Sequence, residues 1–394
     1  MVKMNILLDK PKARKSLFYL IIFTAGFSFS ITGSVLPDIA AIFGLTKTQV
    51  STLPLLHFSG SFCGLLLLGY FLTRPRLLIY ISVVGMATAT LSISFMNSLS
   101  SGFLTAFFCF GLFANVLIAI PGMIVTRSQN GSTAGKMNIM YSFFSAGVMI
   151  SPIVTGVLFA RGFHYPAPFL ILTGLIVLCG ITALATKLPA FELGERVSFK
   201  SIGNAFSSHA GLLIIVIVMN LCYVGAESVP HTWIPKYFYD TFPGYSEFRL
   251  RLILSLFWAS ITAGRQICAY FLHQGTKPQT MLTVNSVAAA LLVAVAPVLR
   301  KGVSAEMLFI GSGLFFSGMF PIIISFVEHF SEKASSTAFI LVMASGLAGA
   351  SVLSRSVGFI ADRFGFTFGI MIGALPLIAI LILVFIINRV LTES

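Results

Sequence analysis

The chain has 394 residues, 57% of them hydrophobic and only 9% charged, with a formal net charge of +13 and a mean hydropathy of +0.97. Soluble domains carry about 25% charged and about 45–50% apolar residues, so a water-soluble fold of this size is excluded. A spanning helix takes about 20 to 25 residues, which allows about twelve spans and leaves no room for a sizeable soluble domain.

The N-terminus carries Lys3, Lys10, Lys12, Arg14 and Lys15 ahead of an apolar run from Leu17. The run is too long for a signal peptide and lacks a clear cleavage site, so it reads as a retained first helix. Hydropathy and breakers predict six helices over 16–42, 49–72, 77–96, 102–126, 137–160 and 166–187. The more polar stretch Leu188 to His209, with Pro189, Glu192, Glu195, Arg196 and Lys200, reads as a central linker. Six more helices are predicted over 210–238, 248–272, 279–298, 304–328, 335–361 and 366–389. The expected organisation is an N-terminal six-helix bundle over 1–187, a cytoplasmic linker over 188–209 and a C-terminal six-helix bundle over 210–394.

An even number of spans puts both ends on one side. If that side is the cytoplasm, it receives 15 of the 25 Lys and Arg residues, the other side receives 8, and Arg265 and Arg355 fall within spans. This bias is what cytoplasmic termini require. The positive balance therefore reports topology, and no tract of basic and aromatic residues points to a nucleic-acid partner. On this topology the sequon Asn130-Gly131-Ser132 is cytoplasmic, hence a chance match. The five cysteines, Cys63, Cys109, Cys179, Cys222 and Cys268, lie in apolar stretches with no close pair and no histidine at metal spacing. They read as small core residues, and neither a metal nor a cofactor is expected.

The two halves align at an offset of about 200 residues in four places. Pro37 matches Pro235, and Gly64 with Tyr70-Phe71-Leu72 matches Gly264 with Tyr270-Phe271-Leu272. Gly111-Leu112-Phe113 matches Gly313-Leu314-Phe315, and Gly156 with Arg161 matches Gly358 with Arg363. Two parallel six-helix halves with both ends inside resemble the major facilitator architecture. Pro37-Asp38-Ile39-Ala40-Ala41 followed by Gly44-Leu45-Thr46 resembles the outer end of that superfamily's helix 1. Gly147, Pro152 and Gly156 resemble its helix 5 pattern, and Gly358, Asp362, Arg363 and Gly365 its helix 11 ending. The loop after helix 2 departs from the usual Gly-Asp-Arg-Gly pattern: Gly69 is followed by Thr73, Arg74, Pro75 and Arg76 without the acid.

Within the superfamily, Leu221-Cys222-Tyr223 through Trp233-Ile234-Pro235-Lys236-Tyr237, Phe257-Trp258 with Gly264-Arg265, and Ser142-Phe143-Phe144 through Pro152 to Ala160-Arg161 are similar to the fucose-permease branch and its TsgA-like members. The Gly313 to Pro321 run is similar too. The resemblance implies an all-α membrane protein of twelve transmembrane helices in two pseudo-symmetric six-helix bundles, and proton-coupled import of a small polar solute, typically a sugar. Fucose permeases carry a carboxylate in helix 4; Gly102 to Thr126 contains no acid.

An ionisable side chain at mid-membrane costs at least a few kcal/mol and is usually functional or paired. Glu227, Arg265 and Arg355 qualify. Glu227 is about 4 to 5 Å outward of the middle of helix 7, where a partly desolvated carboxyl can load and release a proton. It is the candidate for proton coupling, the alternative being a structural partner for an arginine. Arg355 lies within about 6 Å of Glu227 in depth and Arg265 about 7 to 8 Å inward of the middle of helix 8, so Arg355 is the expected partner of Glu227. Two arginines against one glutamate also favour an anionic substrate, since the guanidinium fork suits carboxylate or phosphate.

His57, Asn115, Asn220, Tyr223 and Trp258 join Arg265 and Arg355 as substrate-binding candidates, each also able to serve helix packing. Asp38, Lys236, Asp362 and Arg363 are gate or interface candidates at helix ends. No glycine loop ends in Lys and Ser or Thr, and no nucleophile has a His and acid arrangement, so neither an ATP-driven pump nor an enzyme is expected. The expectation is a secondary transporter in the bacterial inner membrane, monomeric, with a small-molecule substrate, the proton and the lipid bilayer as partners. An exporter or antiporter of organic anions or toxic compounds is the alternative, and a non-transporting sensor stands behind both.

Overall fold

The structure, a computed structural model, describes residues 12–126, 133–186, 193, 197–329 and 332–393. The sequon at Asn130 lies outside them. Twelve helices among the described residues are long and apolar enough to cross a membrane: α1 Ser16–Phe43, α2 Lys47–Tyr70, α3 Pro75–Phe95, α4 Ser101–Pro121, α5 Ser142–Ala160, α6 Pro166–Ala185, α7 Ala210–Thr241, α8 Glu247–His273, α9 Pro278–Val298, α10 Gly302–Ser325, α11 Thr337–Phe364 and α12 Phe366–Asn388. No strand occurs among these residues. Helices satisfy every backbone N–H and C=O within one segment, as hydrocarbon demands. Large apolar side chains such as Phe95 and Leu184 are exposed at 72% and 67%, as expected of faces turned to lipid rather than water.

The sequence marks where helices start. Pro75, Pro166 and Pro278 stand in first turns, where the missing N–H costs nothing. Ser246 caps α8 by accepting from the Arg249 N–H at 3.2 Å. Two expectations need correction. The stretch read as a linker over 188–209 is helical from Phe199, capped by Ser198, and runs unbroken to Thr241. Helices 2, 10 and 12, read as continuous, are interrupted at Ser51, at Ser317–Gly318 and at Ile372–Gly373. Each interruption precedes a proline, Pro54, Pro321 or Pro376, which has no N–H to offer the carbonyl four residues earlier.

The internal repeat reappears as helix crossings built on glycine. A Cβ on Gly64 would strike the carbonyl of Leu112, and one on Gly264 that of Leu314; on Gly111 it would strike the carbonyl of His57, and on Gly313 that of Phe257. Both the glycines and the carbonyls they face are related by the same offset, so α2 crosses α4 as α8 crosses α10. The α1–α5 and α7–α11 crossings follow suit: Gly147 abuts the Phe23 carbonyl and Gly349 that of Leu221. Small residues at such crossings let backbones approach closely where no water drives association. Between the halves, α1 meets α7, α2 meets α11 and α5 meets α8.

Candidate functional site

A cavity of about 360 Å³ lies where α5 of the first half faces α8 and α10 of the second. Ser145, Met149, Thr262, Arg265, Gln266 and Pro321 line it, all from the parts of these helices nearer the face that carries the chain termini. Arg265 is the one charged residue of its lining, and its Nε is buried without a hydrogen-bond partner. Thr262 spends its hydroxyl proton on the Trp258 carbonyl at 3.0 Å, which leaves its oxygen free to accept.

One helix away, Glu227 is buried and accepts a 2.6 Å hydrogen bond from the Tyr223 hydroxyl. Tyr223 precedes it by one turn, so the sequence spacing alone aligns the pair. The Tyr223 ring rests against Phe316 and Phe320 of α10, where that helix is interrupted. The charge of Arg265 is close enough to act on Glu227.

Arg355, expected beside Glu227, is turned away from it. Its guanidinium reaches the start of α2, donating to the Thr48 carbonyl, to Ser51 Oγ at 3.2 Å and to Thr52 Oγ1 at 2.7 Å. The depth expected from the sequence was compatible with pairing; the side of the helix was not. Asn115 and Asn220 are drawn into packing, donating to the carbonyls of Ser61 at 3.1 Å and Val342 at 2.6 Å. His57 is buried against Phe58 and Phe110, with Nδ1 unpartnered. Trp258 does not line the cavity: its indole N–H donates to His231 Nδ1 at 3.1 Å.

The opposite face is sealed by contacts between the halves. Asp362, at the end of α11, accepts from the backbone N–H groups of Lys47 at 2.9 Å and Thr48 at 2.6 Å. Ser255 donates to the Met149 carbonyl at 2.8 Å, and His231 Nε2 donates to that of Phe29 at 3.1 Å. The other gate candidates stay within their own half. Asp38 holds the Tyr165 N–H at 2.6 Å and His164 at 3.2 Å, Lys236 pairs with Asp240 at 2.6 Å, and Arg363 lies over the Phe359 ring.

Sequence reasoning missed two participants. Arg251, counted among the residues outside the spans, is wholly buried in α8. It donates from Nε to the Ser34 carbonyl at 3.1 Å, pairs with Glu247 and lies over the Phe159 ring. Its i,i+4 spacing to Glu247 was the available signal. His231 joins three helices and had no signal beyond being a polar residue in an apolar run.

A family model described as Major Facilitator Superfamily matches residues 18–353. The chain is similar to the Protein TsgA homolog of Buchnera aphidicola subsp. Baizongia pistaciae (strain Bp), at 20% identity over 70% of this chain and 69% of that one. The Protein TsgA homolog of Enterobacter sp. (strain 638) is 23% identical over 62% of this chain and 61% of its own length. Among solved structures, a bacterial homolog of the human lysosomal transporter Spinster, inward-facing and unoccupied, superposes with a TM-score of 0.75 at 12% identity, covering 96% of this chain and 98% of that one. The nucleoside transporter NupG gives 0.71 at 13%, over 95% and 99%. FucP, the fucose:proton symporter of E. coli, in its outward conformation gives 0.67 at 17%, over 94% and 97%. At these identities the superpositions speak for the fold.

Proposed function

The chain belongs to the Major Facilitator Superfamily, and on that premise we propose that it is a proton-coupled secondary transporter of a small polar solute. In this reading the six-helix halves 1–187 and 210–394, joined by 188–209, rock against one another around a midplane site, exposing the cavity to one side of the membrane at a time. The excess of basic residues on the termini side supports a cytoplasmic location for both ends, and bacterial relatives support an inner membrane. A monomer suffices, since both halves of the cavity come from one chain.

The observation that carries the reading is a buried carboxyl, Glu227, held by Tyr223 one helix from a cavity that Ser145, Thr262, Arg265 and Gln266 help to line and that is shut on the opposite face. A carboxyl so placed can exchange a proton each time the halves change their exposure. Its partners are a phenol and the more distant Arg265, which can stabilise the ionised form without a permanent ion pair. FucP is by its description a proton symporter, which supports coupling to the same ion here.

The test is solute accumulation in proteoliposomes with and without an inward proton gradient. Glu227→Gln is expected to abolish gradient-driven accumulation while keeping exchange of solute down its own gradient. Full accumulation by that variant would overturn the assignment of coupling to Glu227.

A second reading, an organic anion as the solute, is favoured by Arg265, the one charged residue lining the cavity, whose Nε is buried without a partner. The same proteoliposomes, offered a panel of carboxylates and neutral sugars, separate the two.

A further inference from the structure

His231 sits in the interface between the halves with both ring nitrogens engaged. An indole N–H can only donate and a carbonyl can only accept. Trp258 Nε1 therefore donates to Nδ1 at 3.1 Å, and Nε2 carries the hydrogen donated to the Phe29 carbonyl at 3.1 Å. The two bonds fix a neutral ring with its proton on Nε2. The ring also stacks on Phe29, with centroids 4.5 Å apart, and Trp258 stands edge-on to both. At 2% exposure no water can replace a lost partner. Phe29 belongs to the first half and His231 and Trp258 to the second, so this chain of bonds is one of the ties that hold the opposite face shut.

We propose that His231 is a second proton-binding site, distinct from Glu227, whose occupation releases the seal on the face opposite the termini. A proton on Nδ1 removes the acceptor that Trp258 needs. It orphans a buried indole N–H and leaves a cation between apolar rings, both costly away from water. The state in which the halves part on that face, letting water reach the ring, carries no such penalty. Proton binding and opening are thus linked, each favouring the other.

Few other charges intrude. On α1 nothing ionisable falls between Tyr19 and Asp38, and on α5 nothing does along Ser142–Ala160. From α2 the facing group is His57, whose charge would act against one on His231. On α11, Arg355 is committed to the start of α2. On α8, Arg251 is two turns from Trp258, and on α7 itself Glu227 is one turn back. On α10, Glu306 is held by Arg249 at 2.9 Å, and α12 brings no ionisable group before Arg389.

The inference rests on the alternating-access reading. It is tested on the full chain with its native cysteines replaced and spin labels at Phe163→Cys and Lys301→Cys, both exposed on the opposite face. Electron–electron distances are measured in liposomes across a pH series. The expected result is a growing long-distance population as pH falls, by up to about tenfold in the open-to-closed ratio per pH unit, the limit for one proton. His231→Gln, which can donate and accept but not titrate, is expected to remove that dependence. Trp258→Phe, which frees the ring from its donor, is expected to reduce its amplitude. A pH response unchanged in His231→Gln, or absent from the parent, overturns the proposal. Flux of the panel of carboxylates and neutral sugars through the same liposomes decides the underlying reading separately: flux of any of them with a pH response unchanged in His231→Gln sinks the His231 site alone, and flux of none of them sinks the reading as a transporter of such solutes.

Discussion

Three arginines within the helices have three different fates, decided by what their forks can reach. Arg251 is wholly buried, with carbonyls, a carboxylate and an aromatic face around it and one nitrogen of its fork left without an acceptor. Arg355 spends its donors on backbone and hydroxyls at the start of α2. Arg265 is left with a buried Nε that nothing in the described chain accepts. An unpaired donor beside a cavity is a cost unless a ligand takes it up. Arg265→Ala is therefore expected to weaken binding of a carboxylate ligand at least about tenfold, as loss of a charge-assisted bond should, while leaving thermal stability unchanged. Arg265→Lys should recover part of the affinity, since a point charge remains but the fork is gone. Calorimetric titration checks both, and an unaltered affinity in Arg265→Ala would remove the anion reading. Glu227 and Arg265 could be picked out in the sequence because intramembrane charge is rare enough to count. The pairing of Arg355 with Glu227 was misread because residue number gives depth along a helix at about 1.5 Å per residue but not which neighbour the side chain faces.

At the level of helices, the repeat was visible in the sequence for a physical reason: a glycine pressed on a carbonyl cannot be exchanged for anything larger without moving a backbone. Gly64 and Gly264, and Gly111 and Gly313, survive in register because each helix crossing needs them. The same argument separates two glycines of the second half. Gly349 lies against the Leu221 carbonyl and Cα, whereas a Cβ on Gly203 would meet nothing within 4 Å. Gly349→Ala is expected to cost about 1–3 kcal/mol through overpacking. Gly203→Ala, near the start of the Phe199–Thr241 helix, is expected to be neutral or to stabilise by up to about 1 kcal/mol. Thermal unfolding in detergent compares them, and equal effects would mean that the α7–α11 crossing yields more easily than its geometry implies. Less was legible about continuity. The interruptions in α2, α10 and α12 follow from prolines that the sequence displays, but hydropathy averages across them and reports one span.

For the molecule as a whole, the polar ties between the halves among the described residues lie at or beyond the middle of the membrane toward the face opposite the termini. Such an interface can part without breaking either bundle, because the crossings at Gly64, Gly111, Gly264 and Gly313 lie within the halves; Gly33 against the His231 carbonyl and Gly358 against the Lys47 carbonyl are close backbone contacts that parting would have to separate. The twelve spans and the two halves could be read from composition and repeat. Which face is shut could not, since it depends on contacts between residues hundreds of positions apart, such as Asp362 with Lys47 and Thr48. That tie sets an anionic carboxylate on two backbone N–H groups at the start of α2, where the helix end favours negative charge. Asn at the same position keeps the shape and one acceptor oxygen but loses the charge. Asp362→Asn should thus weaken the seal by about 1 kcal/mol, a shift of about fivefold toward the state open on that face. Labels at Phe163→Cys and Lys301→Cys would report the shift as a larger long-distance population at constant pH. Because His231 is untouched in this variant, its pH response should persist with the whole curve displaced toward opening. A displaced curve of unchanged slope would show that charge at the rim and protonation in the interface act on one common opening; loss of the slope would mean that Asp362 itself carries the proton.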